Sequence, residues 1–207
     1  MKKIILGIIG LGLIIGAFSF TNNKGVQADQ MINDISNKII RFHVLANSDL
    51  DEDQELKLKV RDEVIKYMSP ILDKSKSLDE SREILKNNQD KVIEIAEKVI
   101  KEEGYNYSVR TELKRENFPV KTYGNITLPE GEYEAFRILI GEAKGQNWWC
   151  VMFPPLCFVD MTKGQISYDE SEEKLEGVLT DEEYDLITDK ENSKIKFRFK
   201  LGEVFSK

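Results

Sequence analysis

The segment QDKVIEIAEKVIKEEGYNYSVRTEL, residues 89–113, contains the change of pattern that decides the fold. Before Gly104, apolar residues recur every three or four positions, which is the spacing of the buried face of an α-helix. After Gly104, apolar and polar residues alternate, as they do in a β-strand that is buried on one side. Gly104 itself occupies the position that commonly follows the last residue of a helix. The segment therefore predicts helices followed by strands, which is the order of an α+β fold.

Upstream of this segment, the pattern predicts one strand and two helices. Residues 39–45 (IIRFHVL) alternate loosely and are rich in residues that favour strands. The first helix is expected near residues 51–69, because acidic residues that can cap a helix precede it and Pro70 marks its end. The second helix is expected near residues 81–103. Both helices are amphipathic, so we expect them to pack on one face of the sheet.

Downstream, the alternating pattern predicts a mainly antiparallel sheet. Its strands are expected over residues 107–113, 132–141 and 148–153. The connection 142–147 has the glycine and polar residues of a hairpin loop, so we expect the strands on either side of it to pair directly. The acidic segment 169–189 is interpreted as a solvated loop with a short helix, and residues 194–201 as a half-buried strand.

The N-terminus predicts export. Two lysines precede the apolar run Ile4–Phe20, and Val26–Ala28 then offers small residues at the positions that a signal peptidase reads. We therefore predict a secretory signal peptide over residues 1–28, with an uncleaved membrane anchor as the alternative. The remaining residues, 29–207, are expected to form one extracytoplasmic signalling domain.

The charge of the chain argues against nucleic acid as a partner. The formal net charge is −7. Removal of residues 1–28 takes away three lysines and no acids, so 27 basic residues face 37 acidic ones and the charge becomes −10. Phosphate binding needs an excess of Lys and Arg. A local excess does occur in the last predicted strand, which could rest on anionic lipid headgroups, although we prefer a solvated strand face. That excess consists of Lys194, Lys196, Arg198 and Lys200.

His43 is the only histidine of the chain, so a serine or thiol hydrolase mechanism that relies on histidine would have to use it. It lies inside a predicted strand with no nucleophile beside it, and we interpret it as a structural residue. A thiol hydrolase that uses Cys150 or Cys157 with His43 is the alternative function. One histidine and two cysteines match no zinc-ligand spacing, and no glycine-rich phosphate loop occurs, so we expect no metal and no cofactor.

Pro154 and Pro155 separate the two cysteines, and two interpretations of the pair stay open. A chain that turns at the prolines could bring Cys150 and Cys157 into disulfide range. The alternative is two buried thiols that act as small apolar residues.

The same region predicts a partner-binding surface. On a strand, Trp148 and Trp149 point to opposite faces, so one indole is expected at the surface unless the protein's own loops cover both. An exposed tryptophan is a frequent anchor for a protein partner, and polar residues precede this one. The surface is predicted within residues 144–156, from Lys144, Gln146, Asn147, Trp148, Trp149, Pro154 and Pro155.

Longer motifs in the chain resemble a known family. Residues 40–49 (IRFHVLANSD), followed by Asp53–Gln54 and 56–62 (LKLKVRD), are similar to the N-terminal signature of the stage II sporulation protein R family. Its further motifs match in order at residues 118–124 (FPVKTYG), 128–135 (LPEGEYEA), 141–150 (GEAKGQNWWC) and 153–160 (FPPLCFVD). The resemblance covers about residues 39–160.

The resemblance implies a signalling role in endospore formation. A member of this family is made in the forespore and secreted into the space between forespore and mother cell. There it is expected to trigger a membrane-embedded aspartic protease of the mother cell, which removes the inhibitory pro-segment of the sigma factor precursor. The family brings no catalytic residues to carry over, so we expect a protease activator rather than an enzyme. A structural component of the septum is a further alternative.

Overall fold

The computed structural model describes residues 29–123, 126–158 and 173–188. Its strands are β1 (Ile40–Leu45), β2 (Val109–Phe118), β3 (Lys121–Tyr123), β4 (Ile126–Leu128), β5 (Gly131–Ile140) and β6 (Asn147–Phe153). Its helices are α1 (29–37), α2 (Asp51–Leu72), α3 (Leu78–Asn87), α4 (Gln89–Glu102), α5 (173–176) and α6 (Asp181–Ile187), with a 3-10 turn at Leu156–Phe158. No helix in these ranges is long and apolar enough to cross a membrane.

Several predictions concern residues that the structure does not describe. The signal peptide over residues 1–28 and the strand over 194–201 lie outside the described ranges. The acidic segment is described only over residues 173–188. These predictions stay predictions.

Four strands form the main sheet, in the order β2-β5-β1-β6. The pairs β2–β5 and β1–β6 are antiparallel, whereas β1 and β5 are parallel. Strands β3 and β4 form a separate antiparallel pair. The predicted α+β fold with a mainly antiparallel sheet and helices on one face is confirmed.

The predicted hairpin between β5 and β6 is wrong, because β1 lies between these strands. All six residues of β1 are buried, and a buried strand needs hydrogen-bonding partners on both of its edges. The central position supplies both partners. The connection from β5 to β6 must therefore cross the end of β1, which a hairpin loop would not do.

Helices α2, α3 and α4 cover one face of the sheet, which we call the helix side. Val60, Val64 and Met68 of α2 pack there against Phe42 and other buried residues of the strands. The predicted end of the first helix was wrong. Helix α2 continues through Pro70 to Leu72, which is 1% exposed and gains from its burial in the core.

The helix predicted over residues 81–103 is two helices that meet at Asn88. The Asn88 side chain accepts a hydrogen bond from the Tyr67 hydroxyl (2.7 Å) and donates one to the Ile84 carbonyl oxygen (2.7 Å). These bonds satisfy polar groups at the break and attach it to α2.

The opposite face of the sheet is also covered, and we call it the second face. The acidic segment contributes here, because Leu175, Leu179, Tyr184 and Ile187 are buried in a second apolar cluster. The predicted short helix is present as α6. The described part of the acidic segment is not fully solvated, because these four side chains are buried. A salt bridge between Lys38 and Glu183 (2.6 Å) attaches α6 to the chain that precedes β1.

Candidate functional site

Two loops meet at the end of the sheet where the parallel strands β1 and β5 both finish. Residues 46–49 follow β1, and residues 141–146 connect β5 to β6 across its end. Backbone hydrogen bonds join them, from Lys144 N to the Asn47 carbonyl oxygen (3.2 Å) and from Gly145 N to the Ala46 carbonyl oxygen (3.0 Å). We call these two segments together the loop junction.

Side chains of the first loop bind backbone groups of the second. Asn47 Oδ1 accepts a hydrogen bond from Glu142 N (3.0 Å), and Asp49 Oδ1 accepts one from Gln146 N (2.7 Å). The loop junction therefore has hydrogen-bonded backbone along much of its length, which is unusual for connecting segments and limits their freedom.

The close approach of the loops requires glycine at two positions. A Cβ atom on Gly145 would overlap the Ser48 carbonyl group, and one on Gly141 would overlap the Asn47 side chain. Gly141 also has a φ of +56°, which residues with a side chain seldom adopt. Both glycines belong to the GEAKGQN motif, so this part of the motif is explained by packing.

Asp53, in the first turn of α2, holds the first loop. Its side chain is buried, and Oδ2 accepts hydrogen bonds from Asn47 Nδ2 (2.9 Å) and Ser48 Oγ (2.6 Å). Burial by itself would raise the pKa of Asp53, but hydrogen bonds from Ser48, Asn47 and Tyr107 hold it below its usual value. Asp53 is therefore a buried carboxylate whose partners keep it charged.

Lys57, one helical turn later, holds the second loop. Its ammonium group donates to the Gln146 carbonyl oxygen (2.9 Å) and to the Gln54 side chain. Burial and then the charge of Arg61 lower the pKa of Lys57, while Asp49 opposes the shift. Asp53 and Lys57 thus connect the two loops to the same face of α2.

Trp148 lies at the border between this site and the helix side. Its ring meets Phe42 edge-on at 5.8 Å between centroids, and the Arg61 guanidinium lies 4.8 Å from the ring centroid. The indole is half-buried. One side is therefore packed and another is covered by a long, charged side chain.

The structure brings some of the predicted surface residues together and separates others. Lys144 and Gln146 are exposed on the loop junction, and Asn147 and Trp148 follow it as half-buried residues of β6. Trp149 points to the second face, where it stacks on His43. Pro154 and Pro155 lie beyond the far end of β6.

The placement of Pro154 and Pro155 on the predicted surface is wrong, because both prolines are buried. Neither tryptophan is fully exposed either, since the sheet has apolar clusters on both faces and each cluster receives one indole. The seven predicted residues therefore do not form one continuous surface. Four of them, from Lys144 to Trp148, remain together at the loop junction.

His43 occupies a polar cluster on the second face. Its Nε2 atom accepts a hydrogen bond from Arg137 Nε (2.8 Å), and its ring lies parallel to Trp149 at 4.9 Å. Arg137 also forms salt bridges with Glu112 (2.8 Å) and Glu116 (2.7 Å). The interpretation of His43 as a structural residue agrees with these contacts.

The cysteines do not approach His43. Cys150 points to the helix side, opposite to His43, and its Cα lies 5.8 Å from that of Cys157, with which it forms a disulfide. The two members of the hypothetical thiol–imidazole pair are thus on different faces of the sheet. No group of three or more potential metal ligands occurs in the described ranges.

Sequence analysis missed Asp53 and Lys57, the two residues that organise the site. A signal for them exists, because they stand one turn apart on the same helical stripe as the core residues Val60 and Val64. Charged residues at core positions are unusual and indicate buried polar contacts. The acids at the start of α2 were instead explained by helix capping alone.

Known proteins match the chain over the region that contains the sheet and the loop junction. The family model described as stage II sporulation protein R matches residues 36–163, which include the whole four-stranded sheet. The chain is 34% identical over 193 residues to stage II sporulation protein R of Bacillus subtilis (strain 168), an alignment that covers 92% of the chain and 86% of that relative. No solved structure matches the chain.

Replacement of Gly145 by Ala should destabilise the protein by about 1–3 kcal/mol, because the added Cβ forces the two loops apart. Gly177→Ala is the matched control, since the nearest atom to its added Cβ is 4.0 Å away, and it should change stability by no more than about 0.5 kcal/mol. Urea unfolding of both variants measures the difference. Equal stabilities would contradict the close packing of the loop junction.

The single histidine gives stability a defined pH dependence. Burial, and then the charges of Arg137, Arg41 and Lys114, lower the pKa of His43 to about 3. The unfolded chain has a histidine pKa of about 6.5, so between these two values it binds one more proton than the folded protein. The free energy of unfolding should therefore fall by about 1.4 kcal/mol for each unit that the pH decreases below 6.5.

Urea unfolding at pH 7, 6 and 5 tests this dependence above the range in which ordinary carboxyl groups titrate. The wild-type protein should lose about 2 kcal/mol between pH 7 and 5. His43→Gln should show almost no change over the same range, whatever its absolute stability. Parallel curves for the two proteins would show that His43 is not the responsible group.

Proposed function

The chain belongs to the stage II sporulation protein R family, and from this premise we propose that it is an exported signal of endospore formation that acts by binding. Family membership gives it a role in sporulation. In the proposed mechanism, the forespore secretes the protein into the space between forespore and mother cell. The protein then binds the extracytoplasmic face of a membrane-embedded aspartic protease and shifts that protease to its active state. The active protease releases the sigma factor from its precursor.

The main support for the proposal is that hydrogen bonds hold the two loops of the loop junction together. It presents the exposed Lys144 and Gln146 on backbone that is already held by hydrogen bonds, next to the half-buried Trp148. A surface that is ordered before binding loses little conformational entropy when a partner docks, so more of the contact energy appears as affinity. Such a surface suits a protein that must shift the equilibrium of another protein by contact alone.

Two of the motifs that define the resemblance meet at this surface. The ANSD residues, 46–49, form the first loop and the GEAKGQN residues, 141–147, form the second loop with the first residue of β6. Their polar groups are engaged mainly with each other and with α2. This arrangement favours a role in holding a binding surface in shape over a role in chemistry.

The thiol hydrolase alternative loses support from the positions of its residues. A hydrolase needs its nucleophile within hydrogen-bonding reach of its base. Cys150 pairs in register with Phe42, one residue before His43, and so points to the opposite face of the sheet. The His43 ring nitrogen that would act as a base already accepts a hydrogen bond from Arg137.

Reconstitution tests the proposal directly. Purified exported protein should induce processing of the sigma factor precursor when it is added to vesicles that contain the protease. The variant His43→Gln, Cys150→Ala, Cys157→Ala should still induce processing at a temperature below its own melting transition. Loss of processing by the folded variant would support the thiol hydrolase alternative. Normal processing in cells that lack the gene would favour a structural role in the septum.

A further inference from the structure

Two exposed leucines lie on one side of α2. Among the described residues, the large apolar side chains that are exposed are Leu50 (60%), Val120 (44%) and Leu58 (38%). Leu50 immediately precedes α2, and Leu58 follows it by eight residues, about 12 Å along the helix axis. Gln54 lies between them at the intervening fourth position.

This row of residues borders the loop junction. The backbone N–H of Leu50 donates to Ser48 Oγ (3.2 Å), and Gln54 Nε2 donates to the Ser48 carbonyl oxygen (2.8 Å). At the other end, Arg61 follows Leu58 by three positions and covers the Trp148 ring. We call Leu50, Gln54, Leu58 and Arg61 the α2 row. It extends the surface of Lys144, Gln146 and Trp148 along the helix.

The charge beside the α2 row is negative. Asp51 and Glu55 are exposed next to the row, and neither of them forms a salt bridge within the part of the chain that the structure describes. The nearby cations are already paired, since Lys59 pairs with Glu103, Arg61 with Asp62 and Lys144 with Glu142. The helix dipole accounts for acids in the first turn but not for exposed leucines beside them. Two exposed leucines with an acidic border are complementary to a basic amphipathic segment.

We propose that the α2 row and Trp148 dock a basic amphipathic segment of the protease's extracytoplasmic face. Apolar side chains of that segment cover Leu50 and Leu58, and its Lys or Arg residues meet the acidic border. This inference rests on the proposed function and names the chemistry of the partner. It adds the α2 row to the contact surface that the loop junction presents.

Binding of the purified exported protein to protease-containing vesicles tests the docking surface. Leu50→Ala/Leu58→Ala should weaken binding on the order of tenfold or more and reduce precursor processing in parallel, because both side chains are covered in the complex. The melting temperature should stay close to that of the wild type, since both leucines are exposed in the free protein. Val120→Ala is the matched control. Val120 is similarly exposed. It lies near Phe118, which pairs with the first residue of the ten-residue strand β5, and so is roughly 30 Å from the loop junction at the other end of that strand.

A second pair of variants tests the charge. Asp51→Asn/Glu55→Gln should weaken binding and make it less sensitive to salt. Asp90→Asn/Glu97→Gln removes two exposed carboxylates from α4 instead and should bind like the wild type.

The outcomes separate this inference from the function on which it rests. Wild-type protein that fails to activate the protease would overturn both. Wild-type activation together with undiminished binding by the leucine variant would overturn the docking surface alone. Equal binding to vesicles without the protease would identify the membrane as the partner and would also overturn it.

Discussion

The central position of β1 is the constraint on which the rest of the structure depends. Because β1 is parallel to β5 and antiparallel to β6, the chain that leaves β5 must cross the end of β1 before it can enter β6. The crossing brings the two loops into contact. Without this crossing, the ANSD and GEAKGQN motifs would not be in contact, and β1 would lack a hydrogen-bonding partner on one edge.

Buried polar groups then fix what the topology brings together. Asp53 and Lys57 are 2% and 5% exposed, and their desolvation is costly unless their hydrogen bonds are made. The loops supply those bonds. An arrangement in which the loops leave α2 would cost the carboxylate its bonds with Asn47 and Ser48 and the ammonium group its bond with Gln146, so the pair disfavours alternative loop positions more than it adds to overall stability. On the second face, Arg41 is also fully buried; its Nη2 donates to the Tyr123 hydroxyl (3.0 Å), and its guanidinium lies 4.5 Å from the Phe118 ring centroid.

Local patterns predicted α2 and the four strands of the main sheet, but they missed α1, β3, β4 and the break between α3 and α4, and they did not predict which strands are neighbours. The periodicity around Gly104 identifies the helices and the later strands because it reflects which side of each element is buried. Strand order depends on contacts between distant residues, and the connection 142–147 has the length and composition of a hairpin loop although it serves as a crossing. The same limit applies to the site. Exposure of Lys144 and Gln146 agrees with the local polarity, whereas the burial of Pro154 and Pro155 depends on packing that no short segment specifies.

Asp53 holds the loop junction in place, and amide hydrogen exchange tests this role most directly. The amides of Glu142, Gly145 and Gln146 should be protected in the wild-type protein, because each donates to the first loop. In Asp53→Ala, the exchange of these amides should accelerate by about tenfold or more relative to the exchange of amides in the middle of β5. Asp51→Ala, a change in the same helical turn, should leave the ratio of the two exchange rates unaltered. Equal acceleration of all amides, or unchanged protection at the junction, would contradict the account.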